Sequence, residues 1–140
     1  MSDNVYLGNP NLKKANTAIE FSQEQILEYV KCKNDPVYFS QNYVKIVSLD
    51  EGLVPFRPYD FQEKLINNFH ENRFNICKMP RQTGKSTTVV SYLLHYAVFN
   101  DSVNIGILAN KAATARELLG RLQTAYENLP KWMQQGIISW

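Results

Sequence analysis

Cysteine is scarce in this 140-residue chain: only Cys32 and Cys77 occur, far apart and without metal-ligand spacing. That argues against a disulfide framework or a structural zinc and fits a reducing, cytoplasmic compartment; Cys77, inside an apolar run, reads as core. No stretch of about 18 apolar residues exists, so no membrane span is expected. The start, Met1-Ser2-Asp3-Asn4, is polar and lacks the basic-then-apolar profile of a signal peptide. One-sided charge is missing too. Fifteen basic residues against 13 acidic ones leave a net charge of +2, and no basic cluster is longer than Lys13-Lys14. Such a balance neither demands nor excludes a nucleic-acid partner. Repeats and low-complexity tracts are absent. What remains is 44% hydrophobic and 12% aromatic content, which suits one globular domain.

Residues 1–20 read as a polar loop. Ser22 with Gln25 forms a capping box, with Phe21 and Ile26 as a staple, and opens a helix to about Lys33 whose apolar side is Ile26, Leu27 and Val30. Asp35-Pro36 opens a short helix to about Asn42. Tyr43 to Val47 reads as a strand, residues 48–52 as a turn, and Asp60 to Glu71 as a helix with Phe61, Leu65 and Phe69 on one side. Phe74 to Met79 is then a strand and Pro80 to Thr83 a loop. Gly84 to Phe99 is a helix with Val89, Val90, Leu93, Leu94, Ala97 and Val98 forming its apolar face. Val103 to Ala109 is a second strand. A further helix spans about Lys111 to Asn128 with Ala115, Leu118, Leu119, Leu122 and Ala125 on one side, and Gly136 to Trp140 begins another strand. Strand–helix–strand–helix predicts an α/β fold with a parallel sheet.

Pro80-Arg81-Gln82-Thr83-Gly84-Lys85-Ser86 has the context of a phosphate-binding loop, between a strand and a helix. Unpaired N–H groups at the helix start attract a polyphosphate, Gly84 permits close backbone approach, and Lys85 can reach the β and γ oxygens. The Ser86 hydroxyl is placed to hold Mg²⁺. Gln82, Thr83 and Thr87 complete the segment that would cradle ATP. The pattern departs from the usual one: Met79 stands where a glycine is expected, and Pro80 removes an N–H. Arg81 inside the loop reads either as an internal arginine finger on the γ-phosphate or as a structural or solvated arginine.

This variant loop resembles that of the large terminase subunits of tailed bacteriophages. Gly8–Asn16, Lys31–Asp35, Val37–Phe39 and Val103–Lys111 resemble the T-even-type branch, and the similarity runs from about Gly8 to Trp140. The resemblance implies an ATP-driven motor that packages double-stranded DNA into procapsids. Its expected partners are a portal protein, a small terminase subunit and further copies of itself, in the host cytoplasm and transiently at the portal. It implies residues 1–55 as a helical, lid-like segment and 56–140 as the first part of a P-loop NTPase domain: a parallel sheet with flanking helices, incomplete. It supports Arg81 as the in-cis arginine and Lys85 and Ser86 as the phosphate and Mg²⁺ residues. Tyr59-Asp60-Phe61-Gln62 is similar to an adenine-recognition segment, in which the Gln62 amide reads the base edge and Phe61 stacks. Read alone, a phenylalanine such as Phe61 is more often core and a glutamine such as Gln62 more often solvated. Ala109-Asn110-Lys111 is similar to a segment coupling ATP state to movement or DNA.

Hydrolysis needs an acidic motif. Ile46-Val47-Ser48-Leu49-Asp50-Glu51 mimics one, but it precedes the loop, Ser48 interrupts it, and Gly52 follows as in a turn, so it is read as a solvated turn. After Gly84 the acidic residues are Asp101, Glu117 and Glu127, none in an apolar-Asp-Glu context. The carboxylates of the family's nuclease domain are also missing, and His70 and His95 read as ordinary helix residues. The expectation is a front portion of the motor that binds nucleotide without efficient turnover. A fragment of a helicase-type DNA translocase and a non-enzymatic nucleotide-binding remnant are the alternatives.

Overall fold

The computed structural model describes residues 4–140. The chain folds as mixed α/β, with two small antiparallel sheets and five helices among the described residues. Residues read as an N-terminal loop instead form a hairpin, β1 (Val5–Tyr6) with β2 (Asn9–Lys13), turned by Leu7 and Gly8 at positive φ. The turn signal Gly8-Asn9-Pro10 is visible in the sequence, but β1 is only 2 residues long and β2 begins Asn9-Pro10-Asn11, too polar to announce a strand.

Helix α1 (Gln23–Asn34) starts as expected, with Gln25 N–H donating to Ser22 Oγ at 3.2 Å and Ser22 N–H to Gln25 Oε1 at 3.1 Å. Its expected apolar side is largely exposed, and the residue it buries is Cys32. Phe21, Ile26 and Val30 instead rim a cleft closed by Trp132 and Met133. Asp35 caps α2 (Pro36–Tyr43) by accepting from Val37 and Tyr38 N–H, both at 3.1 Å. The strand read at Tyr43–Val47 lies at β3 (Lys45–Ser48). It pairs with β4 (Gly52–Pro55) across the Leu49–Glu51 turn, Ser48 facing Gly52 and Lys45 facing Pro55.

Helices α3 (Asp60–Glu71), α4 (Lys85–Phe99) and α5 (Ala112–Glu127) agree closely with the reading. In α3 the buried face is one residue out of phase: Gln62 and Ile66 are buried, whereas Phe61 is 45% exposed. Of the apolar face read in α5, Ala125 is buried and Leu119 is 46% exposed. Two further expectations fail. Segments 74–79 and 103–109 take no regular secondary structure and form no ladder among the described residues, and Gly136–Trp140 contributes only an isolated parallel bridge, Ile137 to Lys14. A strand requires a partner for its backbone groups. Phe74 (82% exposed), Ile76 (100%) and Leu108 (92%) face away from any cover, and Cys77, read as core, is exposed.

Helix α4 is the centre of the molecule. Leu94, Val98 and Phe99 meet Phe39, Ile66 and Met133 in one continuous cluster that draws on both halves of the chain. Phe39 sits edge-on to Phe99, with ring centroids 5.3 Å apart at 87°. A second buried face of α4 is polar, made by Thr88, Ser91 and His95. Ser40 donates to the Pro36 carbonyl at 2.9 Å, so Ser91 supplies the hydrogen in the 2.6 Å bond between Ser91 and Ser40. These bonds satisfy hydroxyls that burial would otherwise penalise. No helix among the described residues is long and apolar enough to cross a membrane.

Candidate functional site

The loop from Pro80 to Gly84 leads straight into α4. Gln82 sits at φ +60° and Gly84 at φ +72°, so the chain turns through two left-handed residues before the helix begins. Thr83 Oγ1 donates to the Pro80 carbonyl at 2.9 Å and closes the turn on itself. The Gly84 carbonyl accepts three donors: Thr88 N–H at 3.0 Å, Thr88 Oγ1 at 2.8 Å and Gln62 Nε2 at 3.3 Å. A side chain at Gly84 would place its Cβ 2.5 Å from Gln62 Nε2, besides the cost of a left-handed backbone.

The first turn of α4 has no side-chain cap. The N–H groups of a helix's first turn have no partner within the helix, and their partial positive charge favours an anion. Ser86 is half-buried, and Lys85 and Arg81 are exposed. The group that the resemblance implies is ATP with Mg²⁺. The free N–H groups of α4, Lys85 and the Ser86 hydroxyl fit its phosphate end. Ser86 offers the metal one ligand, and the nucleotide's own oxygens and water would supply the rest. No carboxylate among the described residues lines the cavity of Lys85 and Ser86, so no hydrolytic step follows from these residues.

Gln62 is 3% exposed, and its amide is partly committed. Its Oε1 accepts from Tyr59 N–H at 2.9 Å, capping α3, while its Nε2 reaches Gly84. One lone pair and one N–H remain for a ligand. Gln62 thus ties the start of α3 to the start of α4. Phe61 lies outside on the surface, stacked on Tyr59 with centroids 6.0 Å apart and planes 12° from parallel.

Two cavities flank the Gly84 junction. Gln62, Gly84 and Thr87 share one of about 480 Å³ with Glu51, Arg57 and Tyr59 from the β3–β4 hairpin and its exit. Lys85 and Ser86 line another, of about 260 Å³, with Leu65, Phe69, Cys77, Met79 and Ile107. The structure therefore gathers Gln62, Gly84 and Thr87 on one side of the α4 start and Lys85 and Ser86 on the other; Arg81 and Gln82 project from the loop. Glu51, dismissed in the sequence as part of a solvated turn, does lie in a turn, but that turn faces the first cavity. Its sequence signals were the acidic-motif mimicry of Ile46–Glu51 and the Gly52 turn, and neither said where the hairpin would fold. Tyr59 was named only as part of the segment similar to adenine recognition, and Arg57 carried no signal.

No family model matches the chain.

Proposed function

We propose that the chain is the nucleotide-binding front of a DNA-packaging motor of the terminase large-subunit type, and that it binds Mg-ATP at the start of α4. The observation that carries this reading is the Gly84 junction. A left-handed glycine, its carbonyl held by three donors, presents an uncapped helix start beside Lys85 and Ser86. Backbone N–H groups aimed by such a turn favour polyphosphates. Arg81, exposed within the loop, is available to reach a γ-phosphate in cis.

The finer fold in this proposal is a P-loop core. Segments 74–79 and 103–109 each run from one helix to the start of the next. Asn75 lines one cavity with Asn104–Gly106, and Cys77 and Met79 line another with Ile107. These shared linings support the reading that the two segments would run side by side as neighbouring strands of such a core. Double-stranded DNA, a portal protein, a small terminase subunit and sister copies are the proposed partners, in the host cytoplasm and at the procapsid portal.

Binding without efficient turnover is part of the proposal, because Glu117 is engaged by Arg121 at 2.8 Å, neither Asp101 nor Glu127 follows an apolar strand, and Glu51 lines the cavity of Gly84 and Thr87 rather than that of Lys85 and Ser86. Calorimetric titration of Mg-ATP against the chain and its Lys85→Ala form tests it. We expect at least a tenfold loss of affinity in Lys85→Ala, roughly the worth of one charge-assisted contact to phosphate, and no steady phosphate release from either. Absence of binding by folded wild-type chain overturns the reading. Sustained phosphate release, with or without DNA, overturns the inactive part of it.

A further inference from the structure

We infer that Glu51 is the sugar-reading residue of this site: its carboxylate accepts both hydroxyls of a ribose 2′,3′-diol, so that the chain prefers ribonucleoside to 2′-deoxyribonucleoside triphosphates. The inference rests on the nucleotide-binding reading above and concerns the same junction. The cavity that Glu51 lines measures about 480 Å³, within the range of roughly 300–1,000 Å³ usual for small-molecule sites. Its wall joins the hairpin turn (Glu51), the entrance to α3 (Arg57, Tyr59, Gln62) and the start of α4 (Gly84, Thr87). A triphosphate drawn to the N–H groups of α4 would therefore leave its nucleoside on the hairpin side.

Within that space the polar groups divide by chemistry. Gln62 lies buried with half of its amide capacity spent inside the protein. Tyr59 is 71% exposed and backed by Phe61, so its outer face is open to stack on a base. Glu51 is exposed and has no hydrogen-bond or ion-pair partner among the described residues; Arg57, on the same wall, does not pair with it. An ionised carboxylate only accepts hydrogen bonds. Beside the phosphates, themselves acceptors and negatively charged, it would repel the ligand. The donors of a nucleoside triphosphate lie at its other end. Of these, the vicinal diol offers two adjacent O–H groups that match the two oxygens of one carboxylate, whereas the adenine amine can engage only one.

The test is a matrix of titrations. Wild type, Glu51→Gln and Lys85→Ala are each titrated with Mg-ATP and Mg-2′-deoxy-ATP, and circular dichroism checks that the exposed-turn substitution leaves the fold intact. We expect wild type to bind ATP about tenfold more tightly than 2′-deoxy-ATP, roughly the worth of a hydrogen bond to a charged group. Glu51→Gln should lower ATP affinity more than 2′-deoxy-ATP affinity, so that the preference narrows; the deoxynucleotide loses only the share of its remaining 3′-hydroxyl. Equal affinity of wild type for the two nucleotides overturns the inference while leaving the nucleotide-binding reading standing. So does an equal loss for both in Glu51→Gln, or unchanged affinities with phosphate release abolished. If wild type binds neither, or Lys85→Ala binds like wild type, the underlying reading falls and the inference with it.

Discussion

His95 is 2% exposed and packs among the rings of Phe39, His70, Tyr92 and Phe99, with centroid distances between 4.8 and 6.0 Å. Its Nε2 donates to the Cys32 carbonyl at 2.8 Å, joining α4 to the last turn of α1, while its Nδ1 is buried without a partner. Burial holds its pKa below the usual histidine value, and the bond to Cys32, which favours the proton, does not offset this. The sign follows directly. Above the unfolded-state value of about 6.5 the ring is neutral in both states and stability is full. As pH falls below that, the unfolded chain takes up a proton that the native state refuses, so stability declines until the lower folded-state pKa is passed. Urea unfolding at pH 7.5 and pH 5.5 should therefore show a loss in wild type, no steeper than about 1.4 kcal/mol per pH unit from this one group. His95→Gln, which keeps an amide donor for Cys32, should lose part of that pH dependence. An identical pH dependence in both would remove His95 as its source. The sequence marked His95 only as a helix residue, because its cage draws on α2 and α3, which periodicity along α4 cannot reveal.

At the scale of elements, the helices were legible because their signals are local. The Ser22–Gln25 box, Asp35-Pro36 and Gly84 all lie within one turn of the boundary they set. Faces were less legible, since a face depends on what arrives against it. Gln62 is buried in α3 because Gly84 approaches it from 22 residues away, and Leu27 is exposed because no element among the described residues covers that side of α1. The candidate site divides along the same line: Lys85 and Ser86 could be read from their own loop, whereas Glu51 could not, since only the folded hairpin brings it there. Segments 74–79 and 103–109 show the limit most sharply. Their β-rich composition is genuine, yet no backbone hydrogen bond outside regular elements involves them among the described residues. Amide exchange followed by mass spectrometry should find both segments exchanging at near-unprotected rates while α4 between them is slow. Protection of either segment comparable with α4 would mean that a ladder forms in solution.

For the molecule as a whole, the long-range tie that matters is between the N-terminal hairpin and the C-terminal turn. Gln134, 2% exposed, accepts from Lys13 N–H at 3.0 Å and donates to the Asn11 carbonyl at 2.8 Å. It also reaches the carbonyls of Leu129 at 3.1 Å and Tyr126 at 3.2 Å. Ile137 extends the tie, donating to the Lys13 carbonyl at 2.9 Å and accepting from Ala15 N–H at 3.0 Å. The bonds to Lys13 and Asn11 span 121 and 123 positions, which is why the N-terminal hairpin reads as loop in the sequence: its order comes from the other end of the chain. Gln134→Leu keeps the side chain's bulk and deletes its polar atoms, stranding the Lys13 N–H and the Asn11 carbonyl. Each group left unpaired in a buried place costs about 1–3 kcal/mol, less where water can reach it. Because Leu12, beside them, is 1% exposed, its packing should be disturbed as well. Gln134→Leu should thus lower the urea midpoint and, under limited proteolysis in native buffer, expose the first 20 residues to cleavage well before the helices. A variant whose midpoint stays within about 0.5 kcal/mol of wild type, with an unchanged cleavage pattern, would show that the Ile137 bonds and Leu12 burial hold the two ends together without Gln134.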